Sequence, residues 1–304
     1  MNYNFIIEKK DVNKRLDVFL EENLTDVTRS YISNMNKKGN ILVNGKMTKN
    51  GYKLVENDKI DLELEERQTL SANPENIELD IVFENENLIV INKPQGMVVH
   101  PAVGNYNHTL VNALMYKFAN LSEINGEYRA GIVHRLDKDT SGLMVVAKNN
   151  KAHIDLAKQI ETKTCKRKYL ALVVGSFKER EGKIEKNLIR SKKNRLKYEV
   201  CPEYEGKPAI TLYKTLEVFK GYSLVEFELK TGRTHQIRVH SSYLGHPIVG
   251  DKLYGIKDNF NLDGQLLTAY KIEFCEPSTK ENLSFEIGLP DYFLSVLSKL
   301  RNQN

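Results

Sequence analysis

Apolar side chains nowhere run on for the ~18 positions that a membrane-spanning helix needs. The opening Met1–Lys10 (M-N-Y-N-F-I-I-E-K-K) has neither the basic start nor the long apolar stretch of a secretory signal. The chain is therefore expected in the cytoplasm. Cysteine is scarce: Cys165, Cys201 and Cys275 are odd in number and far apart, with no C-x-x-C. That argues against a disulfide framework and a zinc knuckle, and leaves them structural. No internal repeat or low-complexity tract is visible.

What the chain does hold is enough for two domains, since 304 residues compare with a soft prior of ~150 per domain. The 40% hydrophobic content can fill ordinary cores. The net charge of +5 is modest but unevenly spread. Between Lys163 and Lys197 thirteen Lys or Arg meet three Glu, a patch that fits a polyanionic partner about as well as a solvated lysine-rich face.

Residues 12–66 pattern as a compact unit within a first domain of residues 1–72. Leu16, Phe19, Leu20 and Leu24 recur at helical spacing, Thr28 is placed to cap a second short helix, and Gly39 to end it. Ile41-Leu42-Val43 runs into Asn44-Gly45, a hairpin signal, and Lys59–Leu64 alternates like a strand. Ser71–Glu75 reads as a linker.

In the second domain, residues 73–304, strands are expected at 79–83, 88–91, 143–147, 166–174, 210–218, 222–229, 265–275 and 283–289. Helices are expected at 108–119, at 150–161 with Ile154, Leu156, Ala157 and Ile160 buried, at 234–244 with Thr234 as cap and Gly245 as stop, and at 291–300. Strands outnumber helices and mostly follow one another directly. That predicts an α+β domain on a mixed, largely antiparallel sheet flanked by helices.

Three segments stand out. Gly131–Lys148 reads G-I-V-H-R-L-D-K-D-T-S-G-L-M-V-V-A-K, with His134, Arg135, Asp137, Lys138 and Asp139 crowding five ionisable side chains into six positions before an apolar run. Thr140, Ser141 and Gly142 make a turn there, so the carboxylates stand on a loop held by rigid structure, the usual place for catalytic groups. The other two are N-K-P-Q-G-M-V-V-H-P (Asn92–Pro101) and G-R-T-H-Q-I-R-V-H (Gly232–His240).

In order and spacing these words resemble the three signatures of the RluA family of RNA pseudouridine synthases, over about residues 12–290. The earlier R-S-Y-I followed by K-K-G-N-I-L-V-N-G-K resembles the S4 RNA-binding domain, whose second helix offers basic side chains to phosphates. Arg29, Lys37, Lys38 and Lys46 are the candidates for that face, although acids and bases balance at twelve each over residues 1–70.

The resemblance implies an isomerisation that needs no cofactor and no metal. The C1′–N1 bond of a uridine in structured RNA breaks, the uracil turns over, and it rejoins through C5. The S4-like domain together with the full H-R-L-D-K-D-T-S-G word looks like the RluD and RluC side of the family, which points to large-subunit ribosomal RNA; a monomer is expected.

Residue by residue, the resemblance puts Asp137 in the place of the obligatory catalytic aspartate. Attack at C1′, addition at C6 and proton abstraction at C2′ all need one carboxylate and stay open. Burial alone raises a carboxylate pKa above ~3.9, and a paired cation prevents this. Arg238 matches the family arginine that pairs with the aspartate, with Arg233 as rival and outward phosphate contact as its alternative role. Arg135 corresponds to the residue that fills the gap left by the extruded base, and Tyr169 to the tyrosine that stacks on it.

The bare residues leave other readings open. Asp137-x-Asp139 is a possible Mg²⁺ pair for a nuclease, and a non-catalytic RNA-binding assembly factor is a further alternative. His235 and His240 diverge by about 140° on a helix of ~100° per residue, so a shared metal site is not expected. Asn92, Lys93 and Pro94 are assigned to the pocket wall.

Overall fold

The structure is a computed structural model and describes residues 2–24, 29–63, 72–102, 104–256 and 260–303. The chain forms two compact units, Met1–Thr69 and Leu70–Asn304.

The first unit contains β1 (Asn2–Ile6), α1 (Leu16–Asn23), α2 (Arg29–Lys37), β2 (Ile41–Val43) and β3 (Lys59–Glu63), with an antiparallel sheet in the order β1-β3-β2. Leu16, Phe19 and Leu20 of α1 and Ile32 and Met35 of α2 pack on Ile41, Val43, Ile60 and Leu62. Asn44 and Gly45 take φ of 51° and 72°, and Val43 and Lys46 exchange both backbone hydrogen bonds, the left-handed pair that this hairpin turn requires. Gly39, at φ 86°, follows α2. Thr28, the expected cap, lies outside the described residues. β1 was not anticipated, although Tyr3 and Phe5 alternate and pack on the core.

The second unit runs β4 (Asp80–Glu84), β5 (Leu88–Lys93), α3 (Leu110–Lys117), β6 (Ser141–Ala147), α4 (Asn150–Glu161) and β7 (Lys166–Val174). It continues through β8 (Glu181–Glu185), β9 (Asn187–Arg190), β10 (Tyr198–Cys201), β11 (Ile210–Phe219) and β12 (Tyr222–Leu229). α5 (Gln236–Tyr243), β13 (Leu267–Cys275), β14 (Asn282–Glu286) and α6 (Asp291–Arg301) complete it. The main sheet has the order β4-β5-β6-β13-β7-β12-β11-β8, with β14 on β13. Among the described residues its one parallel pairing joins β6 to β13. Among the described residues no helix is long and apolar enough to cross a membrane.

Strand alternation loads both faces of this sheet. On one face Met144 and Val146 of β6 and Tyr169, Ala171 and Val173 of β7 join Leu110, Val111 and Leu114 of α3. On the other, Leu143, Val145 and Ala147 meet Ala152 and Leu156 of α4, while Leu172 meets Phe293, Val296 and Leu297 of α6. All seven residues of β6 are therefore buried, and each large apolar side chain so placed contributes about 1.5–3 kcal/mol. The charged segment from His134 to Asp139 thus abuts a strand that is buried along its whole length.

Several expectations need correction. β8, β9 and β10 fall within or beside the basic stretch, where charge hides the alternation. Ile154 is 63% exposed, since α4 turns Ala152, His153 and Leu156 inward instead. The turn before β6 is Asp137–Thr140, closed by Thr140 N–H donating to the Asp137 carbonyl at 3.1 Å; Ser141 and Gly142 already belong to the strand. Thr234 does not cap α5: the N-cap is His235, at φ 58°.

Candidate active site

The Asp137–Thr140 turn is held from two sides. Gly142 sits at φ 114°, and a Cβ there would lie 2.3 Å from the Ala269 carbonyl oxygen, so only glycine allows the parallel approach of β6 to β13. Behind the turn Lys93 is fully buried. Its Nζ donates to the carbonyls of Pro94 (2.7 Å), Met97 (2.9 Å) and Lys138 (3.0 Å), engaging all three protons of an ammonium. Burial pulls its pKa down to about 7, with Asp139 and Asp137 pulling the other way. Gln95 Nε2 ties the Asp139 carbonyl to that of Gln265 at 3.1 and 3.0 Å. Asn92, Lys93 and Pro94 therefore do not form the pocket wall; none lines the cavity, and Lys93 braces the turn from beneath.

In front of the turn lies a cavity of about 490 Å³, inside the usual ~300–1,000 Å³ of small-ligand sites. Leu136, Tyr169, Leu229, Ile237 and Leu267 supply its apolar lining. Arg238, from α5, donates from Nη1 to Asp137 Oδ2 at 2.9 Å. Its other two contacts go to Asp251, Nε to Oδ2 at 2.7 Å and Nη2 to Oδ1 at 2.9 Å. Asp251 Oδ1 also accepts the backbone N–H groups of Leu253 and Tyr254. Burial opposes charge on both partners, yet their mutual hydrogen bonds and attraction hold the Arg238 pKa above its ordinary value and that of Asp251 below.

The second oxygen of Asp137 accepts no hydrogen bond among the described residues; the nearest cationic candidate, His235 Nε2, is 3.9 Å away. Burial lowers the His235 pKa, against the pull of Asp137, so the imidazole is neutral at neutral pH. Its Nδ1 pairs with the Tyr254 hydroxyl at 2.9 Å.

Tyr169, on β7, is 4% exposed and lines the cavity, as does Arg135, whose side chain is exposed. Arg233 also lines the cavity but donates to the Pro208 carbonyl at 3.0 Å, which leaves the Asp137 pairing to Arg238. Asp139 does not line the cavity. The three histidines have separate partners: His134 accepts from Val145 N–H at 3.1 Å, His240 pairs with Thr211 Oγ1 at 2.9 Å, and His235 pairs with the Tyr254 hydroxyl; His134 and His235 both line the cavity and His240 does not. In the first unit Lys37, Lys38 and Lys46 are exposed, and the Arg29 side chain lies outside the described residues.

The sequence profile of the family described as RNA pseudouridylate synthase matches residues 87–243, which carry β5 to α5 and hence Asp137, Tyr169 and Arg238. A relative in Bacillus subtilis (strain 168), "Uncharacterized RNA pseudouridine synthase YlyB", is 43% identical over 289 residues, covering 95% of each chain. The chain belongs to the RluA family of RNA pseudouridine synthases. It is an isomerase, and its substrate is RNA. A relative named "Ribosomal large subunit pseudouridine synthase D" in Neisseria meningitidis (serogroup A, strain Z2491) is 42% identical, over 94% of this chain and 79% of the relative. Among solved structures, "Human RNA Pseudouridylate Synthase Domain Containing 1" superposes with a TM-score of 0.55 at 26% identity, covering 74% of this synthase and 95% of that chain.

Sequence reasoning missed two residues that build the synthase's site. Asp251 is the main partner of Arg238; the signal for it was Gly250-Asp251, a turn whose glycine sits at φ 77°, coupled with the rule that a buried arginine needs its donors filled. Gln236 organises the start of α5 in place of Thr234. Its Oε1 accepts from Arg233 N–H at 3.0 Å and from Thr231 Oγ1 at 2.7 Å, while its Nε2 donates to the Ile210 carbonyl at 3.0 Å.

Proposed function

We propose that this synthase converts uridines of large-subunit ribosomal RNA to pseudouridine, with Asp137 as its catalytic carboxylate. The observation that carries the assignment is the asymmetry of Asp137: one oxygen is fixed by Arg238 at 2.9 Å, and the other accepts no hydrogen bond among the described residues, on the wall of a cavity that also holds Tyr169. A carboxylate so placed is held in one direction while one oxygen stays available to the nucleoside, as nucleophile or as base. The uridine loses its C1′–N1 bond and gains C1′–C5, and the proton displaced from C5 is balanced by one gained at N1. No atom is added or removed.

Tyr169 would stack on the extruded uracil, and Arg135, exposed beside the cavity, would occupy the space that the base vacates. Arg238 would hold the Asp137 carboxylate in place through its hydrogen bond to Oδ2. In the first unit Lys37, Lys38 and Lys46, with Arg29, would meet RNA phosphates, as the S4-like pattern implies. The large-subunit assignment draws support from the Neisseria relative. The nuclease reading loses support because Asp139, the second carboxylate that it needs, stands outside the cavity.

The test is to map pseudouridines in ribosomal RNA from cells with the gene, without it, and with Asp137→Asn in its place. One or more large-subunit sites should vanish on deletion and return only with the wild-type chain. A pseudouridine missing from some other RNA would move the substrate, and a site restored by Asp137→Asn would remove Asp137 from the chemistry.

A further inference from the structure

Arg167 is only 7% exposed, yet among the described residues its guanidinium has no ion pair and no hydrogen bond, and its Nε is buried without a partner. It stands two positions before Tyr169 on β7, so both side chains leave the same face of the strand, and both line the cavity beside Asp137. The guanidinium lies against the bare backbone of Gly232, where a Cβ would come within 3.3 Å of Nη1. Lys163, Lys230 and Arg233 line the same cavity, with Glu161 as the only acid besides Asp137. A buried cation with open donors, among further cations, is a seat for an anion, and a planar guanidinium matches phosphate oxygens in pairs.

We propose that Arg167 binds an RNA phosphate adjoining the flipped uridine, a ligand that rests on the pseudouridine synthase reading of this cavity. Two strand residues span roughly 7 Å, the scale of one nucleotide. The base would then enter against Tyr169 while its own linkage is gripped from the neighbouring position of the same strand. Arg167 thereby becomes a positioning residue, setting the sugar over Asp137 without taking part in bond breaking.

The test uses the full chain, Arg167→Met and Arg167→Lys, with a large-subunit ribosomal RNA fragment as probe. Arg167→Met should weaken binding about tenfold and lower the slope of log affinity against log salt by about 0.9, the share of one phosphate; Arg167→Lys should keep the slope. Replacing the phosphate 5′ or 3′ of the isomerised uridine by a neutral methylphosphonate should weaken wild-type binding at one of the two linkages and leave Arg167→Met indifferent there. Unchanged affinity and slope in folded Arg167→Met, or additive losses at both linkages, would overturn the assignment. Should Arg167→Met not fold, Arg167→Gln takes its place in every arm. A wild-type chain that shows the salt dependence while isomerising no uridine would count against the proposed function and leave the phosphate seat standing.

Discussion

Two arginines in one cavity, Arg238 and Arg167, are each 7% exposed, and their charges are handled in opposite ways. Arg238 spends three donors on two carboxylates, while Arg167 meets none. Burial therefore does not define a role. A buried cation that is fully paired belongs to the scaffold that aims Asp137; one left open is placed for something that arrives. The pairing on the Arg238 side is also redundant, because Asp251 grips the guanidinium twice without help from Asp137.

That redundancy sharpens the largest expected effect. Asp137→Asn should reduce single-turnover isomerisation by more than about a thousandfold while the unfolding midpoint barely moves, since Asp251 still compensates Arg238. Measurable turnover by the folded variant, or a large loss of stability, would break the account of this side of the cavity.

Arg238→Met should show the reverse balance in stability. It strands Asp251, whose side chain is 0% exposed, and removing one member of a buried pair costs about 3–5 kcal/mol. Urea unfolding would read this directly, and a cost below about 1 kcal/mol would mean that the pair is solvated.

A smaller effect follows from His134. Burial, with the unpaired Arg167 second, lowers its pKa to about 3, against 6.5 in the unfolded chain. Above pH 6.5 both states are neutral and nothing changes. Below it the unfolded chain takes up a proton that the folded chain refuses, so stability should fall by about 1.4 kcal/mol per pH unit towards pH 4. His100, lowered to about 4 by burial first and by Arg135 and Arg129 next, adds in the same direction. Unfolding midpoints between pH 7 and 4.5 test the sign, and the slope should be shallower in His134→Gln.

The smallest effect is the one that most directly contrasts the two arginines. Arg167→Met removes a buried charge with no partner, so stability should stay level or rise by up to about 1 kcal/mol. A loss like that of Arg238→Met would show that Arg167 has a partner within the fold after all.

Much of this is legible in the sequence. The run from Lys166 to Val174 is β7 and the stretch from Asn150 to Glu161 is α4, because their apolar residues repeat with the period of the element they form. The crowding of charge in H-R-L-D singled out Asp137, the likeness to a known family added Tyr169 and Arg238, and all three line one cavity. Less legible were β8 to β10, where lysines mask the alternation, and the start of α5, where a left-handed His235 and the Gln236 side chain replace the ordinary Thr cap.

Local periodicity and short motifs are written in consecutive residues, so the sequence by itself determined most of the element types, the candidate carboxylate and the family. The partners of that carboxylate are a different matter. Asp137 meets Arg238 across 101 positions, Gly142 is required because Ala269 lies against it, and Asp251 completes the charge balance from a loop with no motif of its own. Whether Arg238 would be paired and Arg167 left open was decided only when β7, α5 and the Asp251 loop closed around one cavity, since counter-charge at a few ångströms is a property of packing, and sequence distance carries no record of it.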